Sequence, residues 1–221
     1  MQTAKVGDFV VYYENADEFR ELKREIWTDG AYYFETDTAQ PRIIDLGAYL
    51  GLATLYWKRL YPASHIDAYE PNPSSYALLR RTIDENQIQG VSTFPVAVAA
   101  KGANITLYED KQWQSTMGII PGGWRKIQKT TPVVVPTVLI SQLLSGPIDL
   151  LKMDVEGMEY ELLRAADLTR VANLIVEVHP REGRRRDELV ALLAKQGYHI
   201  EQREDTNRHG VGLVLFVASR T

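Results

Sequence analysis

The chain is 221 residues long, 45% hydrophobic and 24% charged, with 25 basic against 29 acidic side chains and a formal net charge of −4. Those values fit one well-cored globular unit and exclude a disordered or collagen-like chain; the acidic balance weighs against nucleic acid as a partner. With no Cys, disulfides, thiolate nucleophiles and zinc–sulfur centres are excluded too. No apolar run nears the ~20 residues that span a bilayer. Met1–Val11 lacks the basic-then-apolar order of a secretory leader, so a cytoplasmic protein is expected.

In chain order, Ala16–Trp27 reads as a helix, and residues 1–40 are expected to form a cap segment over the carboxyl edge of a sheet built from residues 41–221. Pro41–Leu46 is a buried-strand run that stops at Gly47, and Leu52, Leu55, Tyr56 and Leu60 then recur at helical spacing. His65–Glu70 is the next strand. Asn72 and Pro73 supply an N-cap and a first helical position for a helix with Tyr76, Leu79 and Ile83 on one face. Phe94–Ala99 reads as a third strand, and Ile105–Tyr108 and Pro132–Leu139 as strands flanking a loop rich in Gln, Gly and Trp. Ile148–Val155 and Leu174–Val178 are apolar strands, each followed by a helix, over Met158–Ala166 and Asp187–Gln196. Tyr198–Arg203 and Val211–Ala218 close the chain as an antiparallel pair. The alternation predicts an α/β fold of Rossmann-like type: a mostly parallel seven-stranded sheet, helices on both faces and a terminal antiparallel pair.

The turn Asp45-Leu-Gly47-Ala48-Tyr49-Leu-Gly51 joins a buried strand to a helix. Gly47 lets a ligand approach the backbone, and the helix N-terminus offers free N–H groups. A dinucleotide fingerprint would have Gly where Tyr49 stands, and Asp45 would repel a pyrophosphate. Together with Glu70 at the end of the next strand, placed to accept both hydroxyls of a ribose, the loop favours S-adenosylmethionine over a nicotinamide cofactor. Further on, Lys152, Asp154 and Glu156 alternate at one strand end, and Glu177 and His179 at another.

Glu25–Phe34, Ile44–Gly51 through Glu70–Pro73, and Ile148–Glu159 with Val176–His179 together resemble the FkbM family of S-adenosylmethionine-dependent methyltransferases over residues 25–180. The stretch Leu151-Lys-Met-Asp-Val-Glu-Gly157 is the most specific part of the resemblance. It implies a class I methyltransferase fold and methyl transfer, usually to a hydroxyl of a small molecule or sugar. On that reading Asp45, Gly47, Ala48, Tyr49 and Gly51 surround the methionine part of the cofactor. Glu70, followed by Pro71 and Asn72, holds the ribose, and Ala97 and Val98 lie against the adenine. The sequence departs from the family's common Asn at Tyr49, leaving the backbone or ring of that residue as the contact.

His179 or Asp154 is the candidate general base, with Glu156 and Lys152 orienting the acceptor; an ion pair of Lys152 with an acid is the competing structural role. Asp154, Glu156, Glu177 and His179 could supply metal ligands, but no paired Asp-Asp or His-x-x-x-His spacing is present and no metal is expected. Met117, Trp113 and Trp124 could form an acceptor lid within Gln112–Lys129. Tyr32, Tyr33 and Phe34 could cover the cofactor, and Arg181, Arg184, Arg185 and Arg186 could attract an acidic acceptor. The rival functions are a non-catalytic scaffold that binds the same cofactor and an RNA methyltransferase. The sequence leaves the oligomeric state open.

Overall fold

A computed structural model of the chain describes residues 1–110, 117–119, 121, 130–179, 186–208 and 211–220, with backbone alone for 186, 202–208 and 211–216. The strands are β1 (Gln2–Val6), β2 (Phe9–Tyr13), β3 (Arg42–Leu46), β4 (His65–Tyr69), β5 (Val91–Phe94), β6 (Ala97–Ala99), β7 (Asn104–Asp110), β8 (Met117–Gly118), β9 (Thr130–Leu139), β10 (Ile148–Met153), β11 (Val171–Val178), β12 (Tyr198–Arg208) and β13 (Val211–Arg220). The helices are α1 (Ala16–Lys23), α2 (Leu52–Leu60), α3 (Pro73–Glu85), α4 (Ile140–Leu143), α5 (Glu159–Ala165) and α6 (Arg186–Lys195).

Seven strands form the main sheet in the order β12-β13-β11-β10-β3-β4-β5. Its strands from β11 to β5 run parallel, and β13 joins β11 antiparallel with β12 at the outer edge. The apolar runs of the sequence explain the burial on both sides. Ile44, Leu151 and Val176 face one way, onto Leu162 and Leu163 of α5 and Leu189 and Leu193 of α6. Ile43, Leu150 and Ile175 face the other way, onto Leu55 and Trp57 of α2 and Leu79 of α3. Alternate side chains of one strand thus feed two cores, the pattern of a sheet covered by helices on both faces. None of the described helices is long and apolar enough to cross a membrane.

The chain runs from β3 outward to β5, then returns across the sheet to β10 and β11. The order therefore reverses between β3 and β10, and the carboxyl ends of those two strands diverge into the crevice where doubly wound sheets take ligands. Gly51 opens α2 with φ of +83°, and a Cβ there would lie 2.9 Å from Leu79 Cδ1. Its lack of a side chain sets how closely the start of α2 approaches α3. Asn72 caps α3 as the sequence predicts, its side chain accepting from the N–H groups of Ser74 and Ser75.

The structure corrects the sequence reading at two places. The strand expected over Phe94–Ala99 is two: β5 belongs to the main sheet, and β6 belongs to a second sheet of order β6-β9-β7-β8. Pro95 falls between them; it has no N–H to give a ladder, and its ring fixes φ. The two strands expected to flank a loop are present as β7 and β9, and they pair with each other antiparallel. Residues 1–13 form a hairpin that docks on α3 rather than on the carboxyl edge. There Asn86 both accepts from the Val10 N–H at 2.8 Å and donates to the Val10 carbonyl at 2.7 Å, and the Arg81 guanidinium lies 4.3 Å from the Tyr12 ring centre. The helix expected over Ala16–Trp27 is present as α1, continued by a π-helical turn over Arg24–Thr28.

Candidate active site

At the switch point lies a cleft of about 490 Å³, its open mouth included. Gly47, Glu70, Pro71, Ala97, Val98, Asp154 and Glu156 line it, together with Leu46, Tyr69, Leu107, Met117, Val155 and Met158. Seven of the residues singled out in the sequence thus share one concavity. Asp45, Ala48, Tyr49, Gly51, Asn72, Lys152 and His179 are not among the lining residues, and the contacts below show what they do instead.

The floor is an ion pair. Asp45 and Lys152 are opposite each other in the β3–β10 ladder, with Lys152 Nζ 3.3 Å from Asp45 Oδ1 and side-chain exposures of 3% and 0%. The other Asp45 oxygen accepts from Thr54 Oγ1 of α2 at 3.1 Å. Lys152 also donates to the carbonyls of Leu46 and Gly47 and stands 3.8 Å from Asp154. Burial opposes its charge, but Asp45, then Asp154 and Glu177, outweigh that and hold its pKa above the ordinary lysine value. The charge of Asp45 is therefore matched by a cation that the chain itself supplies. Lys152 is turned into the sheet, as in the structural role weighed against orientation of an acceptor.

Gly47 is required by the same crossing. It adopts φ of +83°, and a Cβ at this position would meet the Asp154 carbonyl oxygen at 1.9 Å. The loop then bends to the end of β4, where the Gly47 and Ala48 N–H groups both donate to the Tyr69 carbonyl. Glu70, buried, accepts from the N–H of Tyr49 and of Asn72, each at 2.8 Å. Burial pushes its carboxyl up to about 7, against the pull of those two N–H groups and of Lys152. Tyr49 turns its ring away from the cleft, and its hydroxyl donates to Glu18 of α1 at 3.0 Å. Its contribution to the site is thus through the backbone.

On the far side, β10 ends at Met153 and the chain turns through Glu156 (φ +51°) and Gly157 (φ +102°) into α5. His179, at the end of β11 and 3% exposed, lies between two carboxylates. Its Nδ1 is 3.0 Å from Glu159 Oε1 and its Nε2 is 3.3 Å from Glu156 Oε2. Burial works against a charged ring, but Glu156 and Glu159 together lift its pKa well above the ordinary histidine value. Between these two carboxylates the ring holds Glu156 in place from behind the cleft. Glu177 is buried beside Tyr32, whose hydroxyl is 3.4 Å away; burial and then Asp154 raise its carboxyl to about 8.

Glu159 is the site residue that the sequence did not reveal. An acid in the first turn of a helix ordinarily answers the helix dipole, and nothing in the spacing connects it to His179, twenty residues later. From the second sheet, Gly118 packs so closely that a Cβ would lie 2.8 Å from the Glu156 carbonyl oxygen, and Met117 lines the cleft. Trp113, Trp124, Arg181, Arg184 and Arg185 lie outside the described residues, as does the side chain of Arg186.

With this geometry in view, residues 45–200 match the family model described as the methyltransferase FkbM domain. The chain belongs to the FkbM methyltransferase family. A relative from Beauveria bassiana, Methyltransferase 1, is 30% identical over 96% of this chain and 95% of its own length. The 31-O-demethyl-FK506 methyltransferase FkbM of Streptomyces tacrolimicus is 28% identical, over 96% and 94%. Among solved structures, M. jannaschii TYW2 in complex with AdoMet aligns with a TM-score of 0.54 at 14% identity, over 99% of this chain and 86% of that one. At that identity the likeness shows the fold, that of class I methyltransferases.

Two outcomes are expected of this FkbM-family site. Lys152→Met leaves Asp45 buried without its cation and should cost about 3–5 kcal/mol in urea unfolding, with Asp45→Asn added to it recovering part of the loss. Glu70 titrates near 7 in the fold against an ordinary value of 4.5. Between those two pH values the unfolded chain has lost this proton and the native one has kept it, so stability falls as pH rises, by at most about 3 kcal/mol. Unfolding measured from pH 4.5 to 7.5 should show a shallower pH dependence in Glu70→Gln.

Proposed function

We propose that this methyltransferase moves a methyl group from S-adenosylmethionine to a hydroxyl oxygen of a small-molecule or sugar acceptor. One observation carries the reading: a single cleft is lined on one side by Gly47, Glu70, Ala97 and Val98 and on the other by the carboxylates of Asp154 and Glu156.

The residues of the first side suit such a cofactor. Each Glu70 oxygen accepts one backbone N–H and keeps a lone pair for a ribose hydroxyl, because a carboxylate offers about four acceptor sites. Ala97, Val98, Leu107 and Met117 give an apolar wall for a flat base. Gly47 lines the cleft where the amino-acid end would pass, its N–H and carbonyl held by Tyr69 and Lys152. When bound, the sulfonium supplies a methyl group already activated by positive charge. What the chain contributes is then alignment, the exclusion of water and removal of one proton.

Asp154 is the residue placed for that proton. It lines the cleft, its side chain is 25% exposed, and Lys152 stands 3.8 Å behind it. Glu156, steadied by His179, faces the same space and orients the acceptor. The relative named for 31-O-demethyl-FK506 supports an oxygen acceptor on a small molecule.

Calorimetric titration with S-adenosylhomocysteine should give a dissociation constant in the micromolar range, about −8 kcal/mol, weakened tenfold or more in Glu70→Ala. Asp154→Asn should still bind it, while turnover on hydroxylated acceptors falls about 10²-fold or more. No binding to the native chain would overturn the cofactor assignment. Binding without transfer to any hydroxyl would favour the scaffold reading.

A further inference from the structure

The two acids lining the cleft meet a third potential ligand from the neighbouring strand. A carboxylate oxygen of Asp154, one of Glu156 and a ring nitrogen of His179 lie within 4.8 Å of one another. Asp154 and Glu156 come from the turn after β10, and His179 from the end of β11. The fold therefore assembles a mixed nitrogen and oxygen set from parallel neighbouring strands, at the edge where the cleft opens.

Three details suit a cation held by all three side chains. Ligand atoms on adjacent corners of an octahedron with bonds of about 2.1 Å stand about 3 Å apart, and opposite ones about 4.2 Å. His179 Nε2 and Glu156 Oε2 are 3.3 Å apart, and the whole set needs to contract only slightly. Second, the other ring nitrogen of His179 faces Glu159 Oε1 at 3.0 Å. A carboxylate holding Nδ1–H is the usual outer partner of a metal-ligating imidazole, and any proton on Nε2 is released as the ion takes its place. Third, Asp154 and Glu156 line the cleft while His179 and Glu159 lie behind them. An ion here would keep open positions on the cleft side only.

We propose that Asp154, Glu156 and His179 form a binding site for a divalent cation of the Mg²⁺ or Mn²⁺ class, which holds the oxygen of the methyl acceptor. The role of this site in catalysis rests on the proposed methyl transfer; the binding of the ion does not. One oxygen of Asp154 binds the cation and the other receives the acceptor's O–H proton, whose release the cation favours. The acceptor oxygen then forms the new C–O bond with its lone pair. The methyl–sulfur bond breaks with its electron pair left on sulfur, giving S-adenosylhomocysteine. An acceptor with two neighbouring oxygens, such as a vicinal diol, fits the open side of such an ion best, because both can bind it at once.

The test uses Mn²⁺ and the whole chain, without cofactor or acceptor. Titration followed by the paramagnetic resonance of free Mn²⁺ should show one ion taken up per chain. Glu156→Gln, which is isosteric and partly exposed, and Asp154→Asn should each weaken uptake at least tenfold. Glu159→Gln, which touches no ion, should weaken it about 10–100-fold through His179. Thermal unfolding of each variant establishes that it is folded at the titration temperature. Uptake that these substitutions leave unchanged, or no uptake at millimolar Mn²⁺, would overturn the site. Methyl transfer that survives exhaustive chelation at the native rate would overturn its role in catalysis. Mn²⁺ held at the triad by a chain that methylates nothing would support the ion site and remove the proposed reaction, so the two readings fail separately.

Discussion

The buried pair of Lys152 and Asp45 is the constraint on which the site depends. It ties β3 to β10 where the strand order reverses. A charge pair this deep gains little net stability over an apolar substitute, since desolvation consumes most of the attraction. What it provides is position. One ammonium group engages Asp45, the carbonyls of Leu46 and Gly47, and the edge of Asp154. The glycine loop and the acidic turn therefore share a single anchor, and the two halves of the cleft are held in one frame.

Much of the main sheet was legible in the sequence because its signals are local. Apolar runs of five or six residues broken by Gly or Pro mark β3, β4 and β10, and helical spacing marks α2 and α3. Asn72 as an N-cap followed from its side chain and from Pro73 alone. The gathering of Gly47, Glu70, Asp154 and Glu156 around one cleft followed from topology: in a parallel sheet, all carboxyl ends lie on one edge. The resemblance carried by Leu151–Gly157 added the chemistry, and the family match agrees with it.

What escaped the sequence depends on contacts between distant segments. The split at Pro95 sends β6 to a different sheet, a choice made by its pairing with β9 forty residues later. The docking of the first hairpin rests on Asn86, a residue that by itself reads only as a helix end. Lys152 reads equally well as an acceptor ligand or as a buried anchor. Only the presence of Asp45 and two carbonyl groups around it decides in favour of the anchor. Glu159 and His179 meet because α5 turns back beneath the end of β11, and no spacing rule encodes that.

The close contact of Gly118 with Glu156 has a consequence for how such a protein can diversify. The second sheet hangs from the main one between β5 and β10, and it touches the reacting edge through a two-residue strand with no side chain at the point of contact. Insertions and substitutions in that sheet away from Ala97, Val98, Leu107 and Met117 can therefore reshape the mouth of the cleft while the frame beneath remains unchanged. At Gly118 itself there is no such freedom, since any side chain would press on the turn that presents both acids. The fold thus divides into a part free to explore new substrates and a hinge of contact that has to be inherited intact.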